Sequence, residues 1–463
     1  MKEMIAIARP RLSPPQVILI SFLLMILIGA GLLALPIASQ NGHSIGFLDA
    51  LFTATSANCV TGLIVVNTMS HWSWFGKLVI LTLIQLGGIG FMTVTTGFLL
   101  LTRQRIGLRD RSTIQAAFSQ NSIGGTGHLV RRVLRYTAVI EGTGAILLTV
   151  VFLSAGNDLW RSVRYGIFHA ISAFCNAGFD IIGHNSLVEF QTNWPLNLIL
   201  MVLIVLGGLG FTVIAELAQL RHPSPFSFKR RIQRLSLHTK LVLVTTTALL
   251  VFGTVIFLLL EWNNAKSMGR LSAPNKVLTG MFESVTLRTA GFDSLNQATL
   301  TDYSKLIGST LMFIGGSPAS TAGGIKTISL AVLIIAVRSA LRGEQHLVVF
   351  KRKIALANLQ KALAIAGTLT VLTLITILIL HFSEANNSFK PSILDLIFET
   401  TSAVGTVGVT TGLTPHLSVI GKCVIALCMF IGRLSPITVA VALSGRLRNQ
   451  SAVDYPEAEI NVG

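Results

Sequence analysis

Four short stretches of this chain carry the residue types that could strip water from a small cation and hold it by backbone oxygen. They are Val60-Thr61-Gly62-Leu63, Asn176-Ala177-Gly178-Phe179, Thr289-Ala290-Gly291-Phe292 and Thr406-Val407-Gly408-Val409. Their central glycines stand 116, 113 and 117 residues apart. Glycine reaches backbone angles that other residues avoid, so successive carbonyls around it can point the same way. Four such turns on one axis would offer carbonyl oxygens in place of a hydration shell. A period of this length marks four copies of one structural unit, and hence an ion pathway built from a single chain.

Each turn needs a scaffold, and the flanking sequence supplies one. A short apolar segment precedes every turn: Phe47–Asn58, Val163–Phe174, Val277–Thr286 and Ile393–Val404. At ten to twelve residues these are too short to cross a bilayer and read as re-entrant helices. Phe52, Phe168 and Phe398 lie ten residues before their glycine and Phe282 nine, so the third copy is one residue shorter. Longer apolar stretches, each near the ~20 residues a spanning helix needs, run at 17–39, 76–101, 137–155, 195–219, 240–260, 305–341, 362–382 and 420–443. The stretch at 17–39 is read as the first span, because a secretory signal has a core of only about 7–15 residues. The expected fold is therefore an all-α integral membrane protein. It has eight spans and four re-entrant pore loops, arranged as four repeats round a pseudo-fourfold axis. The units run 1–101, 102–219, 220–341 with a broken second span, and 342–463 with the C-terminal tail.

Composition agrees with that reading and excludes others. The 463 residues are 51% hydrophobic and 12% charged, about half the charged share of a soluble domain. The net charge of +17 is distributed by topology. Arg103, Arg105, Arg109, Arg111, Arg131, Arg132 and Arg135 separate spans two and three, and Arg221, Lys229, Arg230, Arg231, Arg234 and Lys240 separate four and five. Arg338, Arg342, Lys351, Arg352 and Lys353 separate six and seven. Basic connections on every second loop put both termini in the cytoplasm and the glycine turns outside. No nucleic-acid reader motif accompanies the charge. Cys59, Cys175, Cys423 and Cys428 form no metal or disulfide framework and read as small buried apolar residues. Titratable groups are not clustered within the spans, so an enzyme is not expected.

Below the turns the units differ. The second spans share a glycine signature in Leu86-Gly87-Gly88-Ile89-Gly90, Leu206-Gly207-Gly208-Leu209-Gly210, Ile314-Gly315-Gly316-Ser317-Pro318 and Ile431-Gly432-Arg433-Leu434-Ser435-Pro436. In the third unit this signature runs into small polar residues with Gly315, Gly316, Gly323, Gly324 and Lys326. That composition cannot hold a continuous helix and reads as an intramembrane gate loop. Gly324-Ile325-Lys326-Thr327 lacks the residue order and the strand–helix context of a phosphate-binding loop. Arg433, an intramembrane charge, is a functional hypothesis by default. It reads as a barrier facing the pore, with pairing to a glutamate or to loop carbonyls as the structural alternative. Asp49, Glu283, Asp395 and Glu399 on the short helices, with Asp180 and Asp293 after two turns, are placed to concentrate cations. Pinning of the turns by hydrogen bonds is the other reading of Glu283 and Glu399.

The fourth tetrad comes near the Thr-Val-Gly-Tyr-Gly run of potassium-channel filters, and the other three depart from it. From about residue 14 to 448, the four glycines, the Gly-Gly-Ser-Pro…Gly-Gly-Ile-Lys loop and the arginine of the last span together resemble the Trk/Ktr/HKT superfamily. The resemblance is greatest to its bacterial Ktr-type membrane subunits. It implies potassium uptake, often by sodium-dependent symport, by a homodimer in the plasma membrane. It also implies a cytoplasmic nucleotide-binding RCK-type ring as regulatory partner, with K+ as transported ion, Na+ as coupling or activating ion and no organic cofactor. Gly62, Gly178, Gly291 and Gly408 match the filter glycines, Gly315–Lys326 the gate loop and Arg433 the pore arginine. Glycine at all four positions matches the potassium-selective pattern, and serine in the first filter accompanies sodium permeation in the plant branch. A sodium or poorly selective transporter of the same fold is the alternative.

Overall fold

The computed structural model describes residues 13–90, 126–183, 185–220, 233–387 and 389–444. The basic residues at 103–111, 221–231, 446 and 448 lie outside them, as does the expected second span of the first unit beyond residue 90. Four long helices open the four units: α1 (Pro14–Leu33), α4 (Thr126–Ser154), α8 (Leu237–Glu261) and α12 (Leu356–Ser383). Each is followed by a short helix, α2 (Phe47–Asn58), α5 (Leu159–Cys175), α9 (Ala273–Thr286) and α13 (Ile393–Gly405). The turn comes next, and then a second helix: α3 (Trp74–Ile89), α6 (Trp194–Leu209) with α7 (Phe211–Gln219), α10 (Asp302–Phe313) with α11 (Thr327–Leu341), or α14 (Val419–Leu434) with α15 (Pro436–Ser444). Among the described residues the only strands are a two-stranded antiparallel hairpin, β1 (Val348–Val349) and β2 (Arg352–Lys353).

The arrangement inverts the polarity of a soluble protein. The long helices turn apolar side chains outward, including Leu24, Val251, Leu259 and Leu378, where lipid and not water is the natural neighbour. The short helices bury polar side chains instead, among them Thr53, Ser56, Asn58, Ser172, Ser284 and Ser402. The marker phenylalanines Phe52, Phe168, Phe282 and Phe398 are all buried and seat the short helices in the core. Every second helix begins at a polar cap that accepts a backbone N–H: Ser73 from Gly76, Asn193 from Leu196, Thr301 from Ser304 and Ser418 from Gly421. A side-chain acceptor at this position satisfies one of the free N–H groups of a helix start. The four second helices therefore start in register with one another.

The second spans are less continuous than the sequence suggests. The helices expected at 195–219 and 420–443 each bend sharply, by 102° between α6 and α7 and by 96° between α14 and α15. The cause is one residue in the left-handed region, Gly210 at φ +89° and Ser435 at φ +71°, and α3 ends at the corresponding Gly90 at φ +86°. The stretch at 305–341 is broken as expected, between Phe313 and Thr327. Among the described residues, four helices are long and apolar enough to cross a membrane unbroken, or six with each bent pair taken as one span. The remaining two second spans fall short because α3 ends after 16 residues at Ile89 and because α10 and α11 are separate.

Candidate ion pathway

The four turns share one backbone design. Two residues before each glycine the chain enters the left-handed region, at Val60 (φ +56°), Asn176 (φ +59°), Thr289 (φ +73°) and Thr406 (φ +51°). The glycines follow at φ +98°, +69°, +81° and +104°. Such angles are uncommon for any side chain and are outliers for β-branched Val60, Thr289 and Thr406, so the surrounding structure must enforce them. Part of that enforcement is a hydroxyl four residues after each marker phenylalanine. Gly62 and Gly408 donate their N–H to the Oγ of Ser56 (3.1 Å) and Ser402 (3.0 Å). Ser172 and Thr286 instead donate their hydroxyls to the carbonyls of Phe179 and Phe292, both at 2.7 Å. The missing residue of the third unit lies between Thr286 and Gly291, where the hydroxyl-to-glycine spacing is five residues instead of six. These hydroxyls have no place in the motif reading, although their constant offset from phenylalanine is visible in the sequence.

The turns meet in a closed ring, in chain order. A β-carbon on Gly62 would stand 2.6 Å from the carbonyl oxygen of Ala177, and one on Gly178 2.8 Å from that of Ala290. One on Gly291 would collide with the Val407 carbonyl, and one on Gly408 with the Thr61 carbonyl, which closes the circle. The residue before each glycine thus presents its oxygen to the glycine of the preceding unit. Val60, Thr61, Asn176, Ala177, Thr289, Ala290, Thr406 and Val407 are all buried around this ring. The hydroxyl oxygens of Thr61 and Thr406 and the amide oxygen of Asn58 are buried there without a hydrogen-bond partner.

Directly beneath, the glycine signature has a steric reason. A β-carbon on Gly87, Gly207 or Gly432 would strike the carbonyl of Asn58, Phe174 or Val404, in each case four residues before that unit's turn glycine. In the third unit the equivalent Gly315 packs on the Gly323 carbonyl instead, because the chain there folds back on itself. The 315–327 segment is sewn to the second unit. Ser317 N–H donates to Gly208 O (3.0 Å), Thr321 N–H to Gly207 O (3.3 Å) and Thr321 Oγ1 to Phe174 O (3.2 Å). Gly316 approaches the Gly208 carbonyl, Gly323 lies against Thr406 of the fourth turn, and Gly324 adopts φ +63°. The Lys326 ammonium donates to Ala322 O (2.5 Å) within the loop.

Arg433 joins the loop to the first unit. Its guanidinium donates to the Thr321 carbonyl, to Gly87 O (2.5 Å) and to Gly88 O (3.2 Å). Its partners are carbonyls, so the alternative of a glutamate pair is not realised. Another arginine, Arg288, is buried just before the third turn and donates to Gly315 O (3.1 Å), where the loop begins. The sequence signal was there, since Arg288 is a charge between the third apolar segment and its turn.

The acids separate into two groups. Glu399 accepts from Thr410 (2.8 Å) and from Thr414, and Glu283 from Gln297 (3.0 Å), so both hold the segment that leaves the turn. Asp49 and Asp395 are not free carboxylates at a mouth. They form ion pairs with Lys422 (2.6 Å) and Lys305 (3.2 Å) of the preceding units. Asp180 is hydrogen-bonded to Ser186, Gly183 and Ile182, and Asp293 is half-buried. Cys59, Cys175 and Cys428 are buried, whereas Cys423 faces outward and departs from the buried reading. Among the described residues no cluster of His, Cys, Asp and Glu is arranged to hold a metal.

Comparison with known proteins agrees with this geometry. The family model described as TrkH, cation transport protein, matches residues 11–455. The chain is 38% identical over 454 residues to the Ktr system potassium uptake protein B of Bacillus subtilis, covering 98% of this chain and 97% of that protein. It is also 38% identical over 458 residues to the potassium/sodium uptake protein NtpJ of Enterococcus hirae, covering 98% of each. The crystal structure of the potassium transporter TrkH from Vibrio parahaemolyticus has the same fold, with a TM-score of 0.71 at 16% identity over 96% of this chain and 86% of that one. The chain belongs to the TrkH family of cation transport proteins, and is a multi-pass membrane transporter and not an enzyme.

Proposed function

We propose that this chain is the potassium-translocating membrane subunit of a K+ uptake system. Residues 60–62, 176–178, 289–291 and 406–408 form its selectivity filter. The observation that carries the reading is the closed ring in which each glycine abuts the carbonyl of the next turn. Such a ring aims four backbone dipoles at one axis, the chemistry that replaces the water of a monovalent cation. The unpartnered oxygens of Thr61, Thr406 and Asn58 add uncommitted acceptors beside it. Gly315, Gly316, Gly323, Gly324 and Lys326 form the gate below, and Arg433 latches it through the Thr321 carbonyl. The relatives named for potassium uptake support K+ as the cargo.

The finer assignments rest on the same resemblance: four repeats at the boundaries given above, a homodimer in the plasma membrane with both termini cytoplasmic, a nucleotide-binding RCK-type ring as partner, and Na+ as activating or coupled ion. The relative named for potassium and sodium uptake favours one second reading, a transporter that also passes sodium. The deciding experiment is uptake of rubidium and of sodium by potassium-uptake-deficient cells expressing the chain, with and without the cytoplasmic partner. Saturable rubidium uptake that excess sodium does not suppress supports the proposal. Uptake of sodium with equal ease supports the second reading, and absence of both from a correctly inserted protein refutes the pathway.

A further inference from the structure

Around the ring, the second helix of each unit packs against the short helix of the next. The contact is repeated at equivalent positions, which makes the four interfaces directly comparable. The fourth residue of the second helix is Lys77, Asn197, Lys305 or Lys422. The residue three before the marker phenylalanine of the following short helix is Tyr165, Thr279, Asp395 or Asp49. Two interfaces are charge-neutral ion pairs, Lys305–Asp395 at 3.2 Å and Lys422–Asp49 at 2.6 Å. A third is neutral by composition, with Asn197 and Thr279. Only the interface of units one and two keeps the lysine and lacks the carboxylate.

That interface is also where the chain opens a cavity of about 350 Å³, lined by Lys77, Arg161, Arg164, Tyr165, Trp74 and Met69 among others. Lys77, one of its lining residues, is 7% exposed. The ammonium donates to Met69 O (2.7 Å), which leaves two of its three N–H donors. Arg161 donates Nε to the Tyr165 hydroxyl (2.9 Å) and Arg164 donates Nε to Trp160 O (3.2 Å). Each guanidinium keeps its other donors, since arginine has five. Arg164 also stacks on Trp74 at 4.3 Å, which fixes its direction. The nearby Asp158 is occupied at the start of α5, accepting from Arg161 N–H (2.9 Å). No carboxylate lines the cavity among the described residues. Three like charges converging on one concave site repel one another unless an anion joins them.

We propose that this cavity binds a phosphate-bearing anion, which takes the place that Asp49 and Asp395 fill in the other interfaces. Arginine forks match the oxygens of a phosphate, and a buried ammonium adds a third contact. Trp74 lines the cavity and is half exposed, and indoles favour the headgroup level of a bilayer. The phosphate of an anionic lipid and free inorganic phosphate offer the same chemistry.

The test uses the full-length protein in phosphatidylcholine nanodiscs, titrated with phosphatidylglycerol or with inorganic phosphate, and reads the unfolding temperature. Two variants accompany it. The double substitution Arg161→Gln/Arg164→Gln removes the forks, and Tyr165→Asp supplies the missing carboxylate without removing any cation. Phosphatidylglycerol should raise the unfolding temperature of the native protein. The double variant should need about tenfold more lipid, or higher still, for the same shift, as expected for lost hydrogen bonds to charged groups. Tyr165→Asp should lose the lipid effect and unfold no earlier than the native protein in phosphatidylcholine alone. Stabilisation by lipid only identifies a headgroup site, and stabilisation by inorganic phosphate as well identifies a free-anion site. No response of the native protein to either anion overturns the proposal. So does an undiminished lipid effect in whichever variant folds.

Discussion

Replacing Gly62 by serine perturbs the ring at one defined atom. Gly62 adopts φ +98°, and a β-carbon there would stand 2.6 Å from the Ala177 carbonyl oxygen. Ordinary carbon–oxygen contact begins near about 3.3 Å, so that oxygen must retreat by roughly 0.7 Å. The left-handed backbone itself costs a non-glycine residue about 1–3 kcal/mol. The backbone cost falls on the first unit's own turn and the steric push on the second unit's, because the displaced oxygen belongs to Ala177. A loss of about 1.4 kcal/mol in the preference for K+ over Na+ is tenfold, and the strain is of that order. Competition of sodium against rubidium uptake in proteoliposomes measures it, and discrimination should fall by roughly tenfold. Gly408→Ser, whose β-carbon meets the Thr61 carbonyl more closely, should fall at least as far. Gly367→Ser on α12, where a β-carbon meets nothing within 4 Å, is the control and should change nothing. Unaltered discrimination in correctly inserted Gly62→Ser and Gly408→Ser proteins would refute the ring as the seat of selectivity.

Removal of residues 316–326 joins Gly315 to Thr327, and the chain is already close at this point, with Thr327 N–H on Gly316 O at 3.0 Å. Initial uptake rates should rise, and slower or equal transport by an inserted protein argues against a gate. Arg433→Ala leaves the carbonyls of Thr321, Gly87 and Gly88 without their donor. Flux should increase while thermal stability drops by about 1–3 kcal/mol for each buried group left unsatisfied; an unchanged rate excludes a barrier role. Glu384, just past the end of α12, ties that helix to the start of α14 by accepting from Ser418 Oγ (2.6 Å) and Asn387 (2.7 Å). Burial pushes its carboxyl up, but the hydrogen bonds from Ser418, Asn387 and Ser383 outweigh it and hold the group below the ordinary glutamate range. A depressed carboxyl stabilises the fold above its unfolded value and ceases to do so as pH falls through the folded one. The unfolding temperature should therefore drop below about pH 4.3 in the native protein, and less steeply in Glu384→Gln. Parallel profiles for the two would remove this link.

What the sequence made legible was local and repeated. The turns, their marker phenylalanines and the short helices follow from residue types at fixed offsets, and α2 spans Phe47–Asn58 as the apolar segment predicts. The broken span of the third unit is equally readable, because its glycines and proline lie together. The bends at Gly210 and Ser435 are not, since one left-handed residue within an apolar run leaves hydropathy unchanged. The pairing of Asp49 with Lys422 joins residues 373 apart in the chain. Only the closure of the fourth unit on the first brings them together, so the carboxylate reads as free until the ring is seen. Arg288 is visible as a charge beside the third turn, but its contact with Gly315 O, 27 residues on, becomes evident only in the fold.

The ring is made by one chain whose four turns differ in sequence. In a pore assembled from identical subunits, a single codon change alters all four walls at once, so every variant is symmetric. Here the same change is written into one wall and reaches directly only the neighbour that its glycine abuts, as Gly62 abuts Ala177. Ion preference can therefore drift in quarter steps, and a substitution ruinous in fourfold copy becomes a graded adjustment. The turns already differ one at a time, in a shortened third turn and two modes of hydroxyl pinning.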